Sequence, residues 1–416
     1  MNIWILQTGE PLHCDFGNPR PMRAMNLANA LIKKGHNVTL WSSDFNHQQK
    51  INRFGGYKEV RISKLLKIKL IPSPGYKTNI SFRRLWDHFI LGRNLFLLLQ
   101  LEQELPDFGF IGYPPIESAL VMSNWLKKHN IPIMLDVKDQ WPSMFLDLAP
   151  KIVKPVFAFL LIPYFYCSKK TLRNSTAFCS MSKSFLKWMS KSSGRSLSKR
   201  DIIFPLVAPI SKSQPNQLAQ AKKWLNSCGI DLSHNRRFCF VGSLSPAFDF
   251  GMIRDVAKKF MEEKIECQFV ICGDGDSAYN IRKMMAGLNN VIFTGWIDRS
   301  RIEALVARSL GSLAPYKNTT NFTENIPNKI IDSLSYGIPI ITPLDGEVKK
   351  IIKLEKVGFH VKSSKEFEFA ILALLRNRAL AKNLAKNAKK LYSKKYSFDK
   401  VLSHTISVIE KIAIKR

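Results

Sequence analysis

The stretch NFTENIPNKIIDSLSYGIPIIT, Asn321 to Thr342, sets two carboxylates, Glu324 and Asp332, around a helix start with seven residues between them. Pro327 suits the first turn of that helix and Gly337 its end. A helix opened there has free N–H groups and a positive dipole end, which together suit a diphosphate. Lys329 adds a cation in the first turn. Glu324, lying ahead of the helix, is placed to reach past the phosphates toward a bound sugar, and Asp332, further in, to accept hydrogen bonds from a ribose. The same spacing also fits two carboxylates that merely decorate a helix N-terminus and a solvent face, and spacing alone favours that plainer reading.

Two glycine-bearing turns offer further chemistry. FVGSLSPAFDFGM puts Gly242 at the end of a strand, where backbone N–H groups can approach a phosphate, although a strand-to-helix turn needs glycine for its geometry alone. VICGDGDSAYN carries Gly273, Asp274 and Gly275 at the next strand end. Asp274 and Asp276 form a D-x-D pair of the kind that shares a hard cation. Aspartate and glycine are also the commonest residues of such turns, and no other carboxylate clusters nearby, so no metal is expected.

The elements that must position these groups alternate along the chain. Asn2 to Gln7 has the pattern of a short buried strand, and Ala24, Leu27, Ala28 and Leu31 form one helical apolar stripe that Gly35 closes. HNVTLWSS, FGFIGYPP, IPIMLDVKD, TAFCSMS and DIIFPL continue as strands, with the helical IESALVMSNWLKKHN among them. After the polar SKSQPNQLAQAKKWLNSCGIDLSHN a second series begins: RFCFVGSL, CQFVICGDG, NVIFTGWI, LGSLAPY, IPIITPL and VGFHVK. Strands joined by helices imply parallel sheets covered on both faces. A chain of 416 residues is long enough for two such domains. The expectation is an α/β chain of two doubly wound, Rossmann-like domains facing a cleft: residues 1–205, residues 206–395, and a C-terminal helix over 396–416 that crosses back to the first.

Composition limits the partners. Lys and Arg number 63 against 32 Asp and Glu, a formal net charge of +31, which calls for an anionic partner such as nucleic acid, anionic lipid or a phosphate-bearing substrate. No helix-turn-helix, zinc or RNP-type pattern accompanies the charge, so nucleic acid is not expected. From Leu148 to Arg200 there is no Asp or Glu, while Lys154, Lys169, Lys170, Arg173 and their neighbours gather around the apolar VFAFLLIPYFYC, and RRLWDHFILGRNLFLLL offers a second apolar and basic stretch. Cations beside an apolar surface suit an anionic membrane face; core helices with solvated lysines are the alternative. The apolar run is too short to span a bilayer. Seven cysteines without C-x-x-C spacing read as buried free thiols of a reducing cytoplasm, and MNIWILQTG lacks the basic opening of a signal peptide.

With Glu324, Asp332 and SLSYGIPII in place, the chain resembles the family 4 retaining glycosyltransferases of the GT-B fold. RPMRAMNLANALIKKGHNVTLWS resembles that family's first helix and G-H turn, FVGSL its C-domain opening, and VICGDGD with NVIFTGW its G-D-G and base-binding turns. IPNKIID and DVKDQWP resemble most the bacterial surface-polysaccharide branch that includes N-acetylfucosaminyltransferase-like enzymes. The resemblance implies that Glu324 contacts donor-sugar hydroxyls, Asp332 the ribose, Asn328 and Lys329 the diphosphate, and Trp296 or Ile297 the base. Gly242, Ser243, Gly273 and Gly275 then belong to the donor turns. Gly17 and Arg23, in HCDFGNPRPMR, fall on the acceptor side, with Arg23 either a cleft arginine or a solvent-facing one at a helix start.

The sequence also departs from the family. Asp332 replaces the usual Glu, Ser243, Ser245 and Asp249 stand where relatives carry a phosphate-holding Arg or Lys, and Asp136 and Asp139 stand where many have a histidine. Asp139 is the choice for an acceptor-orienting or base-like group, a capping role being equally compatible. The expectation is sugar transfer, with retention, from a nucleotide-diphosphate donor such as a UDP-sugar to a polyprenyl-diphosphate-linked saccharide at the inner face of the plasma membrane, without a cofactor. A nucleotide-sugar 2-epimerase of the same fold and a catalytically silent membrane scaffold are the other classes.

Overall fold

The structure is a computed structural model and describes residues 1–16, 19, 21–79, 81–148, 150, 152–207 and 213–414. The chain divides into two compact units: Met1–Ala208 together with Asp399–Arg416, and Pro209–Phe398.

Unit 1 holds ten strands: β1 (Asn2–Leu6), β2 (Asn37–Ser43), β3 (Phe45–Asn46), β4 (Ile51–Asn52), β5 (Lys58–Ser63), β6 (Leu66–Ile71), β7 (Phe108–Tyr113), β8 (Ile133–Val137), β9 (Ala177–Ser180) and β10 (Ile202–Ile203). Eight form one sheet in the order β10-β9-β8-β7-β1-β2-β6-β5, and β3 pairs with β4. The register sets Trp4 beside Thr39 and Ile5 beside Leu40, and on the other side Ile5 beside Phe110. Buried parallel strands need apolar residues at nearly every position, and β7 is buried along its whole length. The small β3–β4 pair is antiparallel, and within the eight-stranded sheet β5 runs antiparallel to β6. Its Lys58, Glu59 and Arg61 keep this edge in water, which discourages pairing with another chain.

Between β1 and β2 the helix Arg23–Lys33 buries Ala24, Leu27, Ala28 and Leu31, and Gly35 follows at φ +83°. Helices Phe82–Gln100, Ile116–Lys128 and Ile162–Asn174 pack in sequence, the middle one touching both others. The short helix Lys154–Leu160 has no buried residue. Val156, Phe159 and Leu160 are 62%, 73% and 64% exposed. Among the described residues no helix is long and apolar enough to cross a membrane.

Unit 2 contains β11 (Arg237–Val241), β12 (Gln268–Cys272), β13 (Val291–Gly295), β14 (Gly311–Leu313), β15 (Ile340–Thr342) and β16 (Gly358–His360), all parallel, in the order β13-β12-β11-β14-β15-β16. Phe238, Phe240, Phe269, Ile271, Leu313 and Ile341 belong to its core.

Both sheets reverse direction once. In unit 1 the chain builds outward from β1 through β2 and β6, then returns to lay β7 on β1's other edge; in unit 2 it builds from β11 through β12 and β13, then lays β14 beside β11. A crevice opens beyond the carboxyl ends of the strands at such a reversal, and that is where ligands bind in doubly wound sheets.

Candidate functional site

At the reversal in unit 2, three turns are tied together. Gly242 donates its N–H to the Cys272 carbonyl at 2.9 Å, Leu244 to the Asp274 carbonyl at 2.9 Å, and Gly273 to the Gly295 carbonyl at 2.7 Å. Gly242 and Gly273 sit at φ +144° and +135°, backbone that favours glycine. Space requires it as well, because a β-carbon on Gly273 would overlap the Gly242 carbonyl oxygen. A β-carbon on Gly275 would come within 2.9 Å of Ser243 Oγ. The donor turns expected from the sequence are therefore one connected surface.

Over this surface lies Lys329. The helix Asn328–Tyr336 starts after Pro327, its N-cap, and stops at Gly337, whose φ of +66° lets the Ile338 N–H reach back to the Ser333 carbonyl at 3.1 Å. Ser333 Oγ pairs with Ser312 Oγ of β14 at 2.8 Å, which fixes the helix beside the reversal. Lys329 then donates from Nζ to the Val241 carbonyl at 2.6 Å and lies 4.3 Å from the Phe240 ring centre and 5.1 Å from that of Phe248. Burial pushes its ammonium down to about 8, with the charge of Asp332 opposing the shift. Asp332 is half-buried and also faces Tyr316, whose phenol is pushed up by burial and then by that carboxylate.

The other expected donor residues lie on the segments that lead into and out of these turns. Asn328 is exposed in the first helical turn beside Lys329. Trp296 is 75% exposed after β13, whereas Ile297 is 5% exposed and packs in a core cluster with Val270 and Cys272. Glu324 is half-buried at the end of the short helix Thr320–Thr323, its N–H bonded to the Thr320 carbonyl at 3.0 Å. Gly346 presses on the Thr323 carbonyl so closely that a β-carbon would overlap it, which holds the turn before Glu324 against the loop after β15. Asp274 is exposed and accepts the Gly275 N–H at 2.9 Å; among the described residues no three His, Cys, Asp or Glu are grouped to hold a metal. All seven cysteines are free, and Cys179, Cys239, Cys267 and Cys272 are buried.

At the reversal in unit 1 there is a cavity of about 280 Å³. The turn Gln7–Glu10 after β1 and Pro114 and Pro115 after β7 line it, with His47, Tyr76, Arg84, Asp87, His88, Lys138 and Asp139. Asp139 is thus in the cavity, half-buried, and its carbonyl accepts the Trp141 N–H at 2.9 Å. Glu10 pairs with Lys138 and also accepts the Ala24 N–H at 2.8 Å, a carboxylate at the positive end of helix Arg23–Lys33. Asp87 accepts from Ser73 and from the Gly75 N–H. Burial, reinforced by the cations Lys50 and Arg84 respectively, pushes His47 down to about 4 and His88 down to about 3, so both imidazoles are neutral near pH 7.

Arg23 occupies neither of the places expected for it. It is 3% exposed, its Nε donates to Asp136 Oδ2 at 2.8 Å, a second nitrogen completes a forked pair with Asp136, and a third bonds the Phe204 carbonyl. Asp136, itself 1% exposed, is equally committed. A buried guanidinium without a carboxylate would be too costly, so strand β8 supplies one, and the pair fastens β8, the first helix and the segment after β10. This is a correction to the acceptor-side expectation for Arg23. Gly17 lies outside the described residues.

His47 and Tyr76 carried no signal in the sequence, and Arg84 and His88 lie in RRLWDHFILGRNLFLLL, which reads there as an apolar and basic surface. They come from separate segments that only the fold assembles. The rings of Phe240 and Phe248 beneath Lys329 lie in FVGSLSPAFDF, where only the glycine has a pattern that points to phosphate.

Residues 232–391, inside unit 2, match the family described as glycosyl transferases group 1. No curated protein matches the chain. Among solved structures, sucrose-phosphate synthase from Thermosynechococcus elongatus aligns with TM-score 0.71 at 13% identity, covering 100% of both chains. Anabaena HepE in complex with UDP-glucose aligns with TM-score 0.64 at 13% identity, over 99% of this chain and 100% of that one. WaaG, a glycosyltransferase involved in lipopolysaccharide biosynthesis, aligns with TM-score 0.63 at 14% identity, over 98% and 99%. The chain has the GT-B fold, built from two Rossmann-like units.

Proposed function

We propose that the protein is a retaining glycosyltransferase that moves a sugar from a nucleotide diphosphate, a UDP-sugar, to a saccharide carried on polyprenyl diphosphate in surface-polysaccharide assembly. The observation that carries this reading is Lys329 held over Gly242 at the sheet reversal of unit 2. There a cation, three tied glycine turns and a helix N-terminus converge, a set suited to the two phosphates of such a donor.

In this reading Lys329 and the N-terminal end of helix Asn328–Tyr336 neutralise charge that grows on the leaving diphosphate, so the transfer needs no metal. Asp332 accepts from the ribose, Glu324 from donor-sugar hydroxyls, and Trp296, exposed after β13, faces the base. Unit 1 is the acceptor side. Asp139 in its cavity orients the attacking hydroxyl, and the basic, exposed helices between Lys154 and Ser193 set the protein at the inner face of a membrane. The UDP-glucose bound by HepE and the lipopolysaccharide role of WaaG are compatible with donor and pathway.

The test is transfer of labelled sugar from UDP-glucose, UDP-N-acetylglucosamine and UDP-N-acetylfucosamine into a bacterial lipid extract, with chelator present and the product anomer read by NMR. Labelled lipid with the donor's anomeric configuration is expected. Isomerised donor without labelled lipid would instead identify an epimerase.

A further inference from the structure

Helix Phe82–Gln100 is apolar on two opposite faces. Leu91, Leu95 and Leu99 are buried. Phe82, Trp86, Phe89 and Phe96 recur at helical spacing on the other side and are 90%, 57%, 55% and 51% exposed, with exposed Arg83 and Arg93 beside them. One buried stripe is what an amphipathic helix needs; a second stripe of large aromatics left in water needs a partner.

Helix Ile116–Lys128 packs against both this helix and helix Ile162–Asn174. Glu117, in the first turn of helix Ile116–Lys128, accepts from Tyr164 of helix Ile162–Asn174 at 2.8 Å and lies 4.0 Å from His88 of helix Phe82–Gln100. A β-carbon on Gly92 would sit 3.1 Å from Glu117 Cβ, so helices Phe82–Gln100 and Ile116–Lys128 touch there. His88 and Tyr164 thus meet at one carboxyl, which ties the three helices together on their inner side. Helix Lys154–Leu160 runs into helix Ile162–Asn174 through Leu161 and adds exposed Val156, Phe159 and Leu160. Exposed Lys154, Lys169, Lys170 and Arg173 accompany them, and the chain from Leu148 to Arg200 has no acidic residue.

Apolar side chains interleaved with cations, uncompensated by carboxylates, match an anionic bilayer better than a second protein surface. The inner side of the same helix supplies Arg84, Asp87, His88 and Leu91 to the unit 1 cavity. Arg84 donates to the Asn79 carbonyl at 2.8 Å and stacks over Tyr76 and Trp141, yet its Nε is buried with no partner. Lys138, the other cation of the cavity lining, is already paired with Glu10.

We infer that the outer faces of helices Phe82–Gln100, Lys154–Leu160 and Ile162–Asn174 dock on an anionic bilayer, and that the first of them presents a lipid-borne diphosphate head group to Arg84 in the cavity. The inference rests on the proposed lipid-linked acceptor and adds the surface and the recognising cation.

The experiment is flotation of the full chain with vesicles of phosphatidylcholine alone, of equal parts phosphatidylcholine and phosphatidylglycerol, and of that mixture doped with a polyprenyl diphosphate. Wild type should float with the anionic vesicles and not with the neutral ones. Trp86→Ser with Phe89→Ser, and separately Phe159→Ser with Leu160→Ser, should each lower partitioning about tenfold, while UDP affinity, read by calorimetry, stays at the wild-type value and reports an intact fold. Doping should strengthen wild-type binding several-fold, and Arg84→Gln should remove that increment without changing binding to undoped vesicles. Equal flotation of wild type and the serine variants would overturn the docking surface, as would dimers in sedimentation that the same substitutions dissolve. An increment that survives in Arg84→Gln would overturn the head-group site. Failure to bind UDP would count against the donor site alone, since flotation is read without donor.

Discussion

The Lys329 ammonium fills the space that a β-carbon on Gly242 would occupy. A charged group from a helix start and a bare backbone at a strand end thus define one small volume, closed below by the ring of Phe240.

Gly242→Ala should disable this volume without unfolding unit 2. The methyl group displaces Lys329, and alanine at φ +144° adds backbone strain of about 1–3 kcal/mol. UDP affinity measured by calorimetry should fall by about tenfold or more, roughly 1.4 kcal/mol, with an unchanged circular dichroism spectrum.

Donor binding should weaken in alkali. With Lys329 at about 8 in the free protein, the cation is fully present below that pH and is lost as pH rises through it. A bound diphosphate favours the charged form, so binding between pH 8 and 9 should take up a proton, visible as a dependence of the calorimetric heat on buffer ionisation enthalpy. Lys329→Met should bind UDP weakly at every pH and show no proton uptake near pH 8.

Arg23→Ala should act on stability. It leaves the Asp136 carboxylate buried and unpaired, a loss of about 3–5 kcal/mol. Urea denaturation should show the drop, while UDP affinity of the folded fraction is unchanged.

The two cavity histidines make unit 1 acid-sensitive. Their folded pKa values, about 4 and about 3, lie below the ordinary 6.5, so the unfolded chain binds protons that the folded one refuses. The stability they contribute is present above pH 6.5 and is lost progressively as pH falls toward those values. His88→Gln should flatten the loss measured by urea titration between pH 6.5 and 4.

Much of the fold is legible in the sequence because parallel strands, buried on both faces, must be written as unbroken apolar runs such as FGFIGY and QFVIC. The β5–β6 edge is not legible in that way. KEVRIS is largely exposed and has charges on it, so it lacks the apolar run that marks an interior strand. Pro327 and Gly337 mark the donor-side helix because capping chemistry is local. The seat of Lys329 over Gly242 joins residues far apart in the chain, and a motif names both without showing that they touch. Arg23 and Asp136, 113 positions apart, show the opposite failure: the likeness put the arginine at the acceptor, and burial gave it to a carboxylate. Of the cavity of unit 1 only Asp139 was legible, because lone histidines at His47 and His88 have no periodic or spaced pattern.

The most direct test of the account is UDP release from UDP-sugars in the presence of chelator, with and without lipid extract, for wild type and Glu324→Ala. The account predicts release that requires the extract, survives chelation and falls at least about a hundredfold in the variant, roughly 2.7 kcal/mol of transition-state stabilisation. Release of equal rate in wild type and Glu324→Ala, or none from any UDP-sugar, would contradict it.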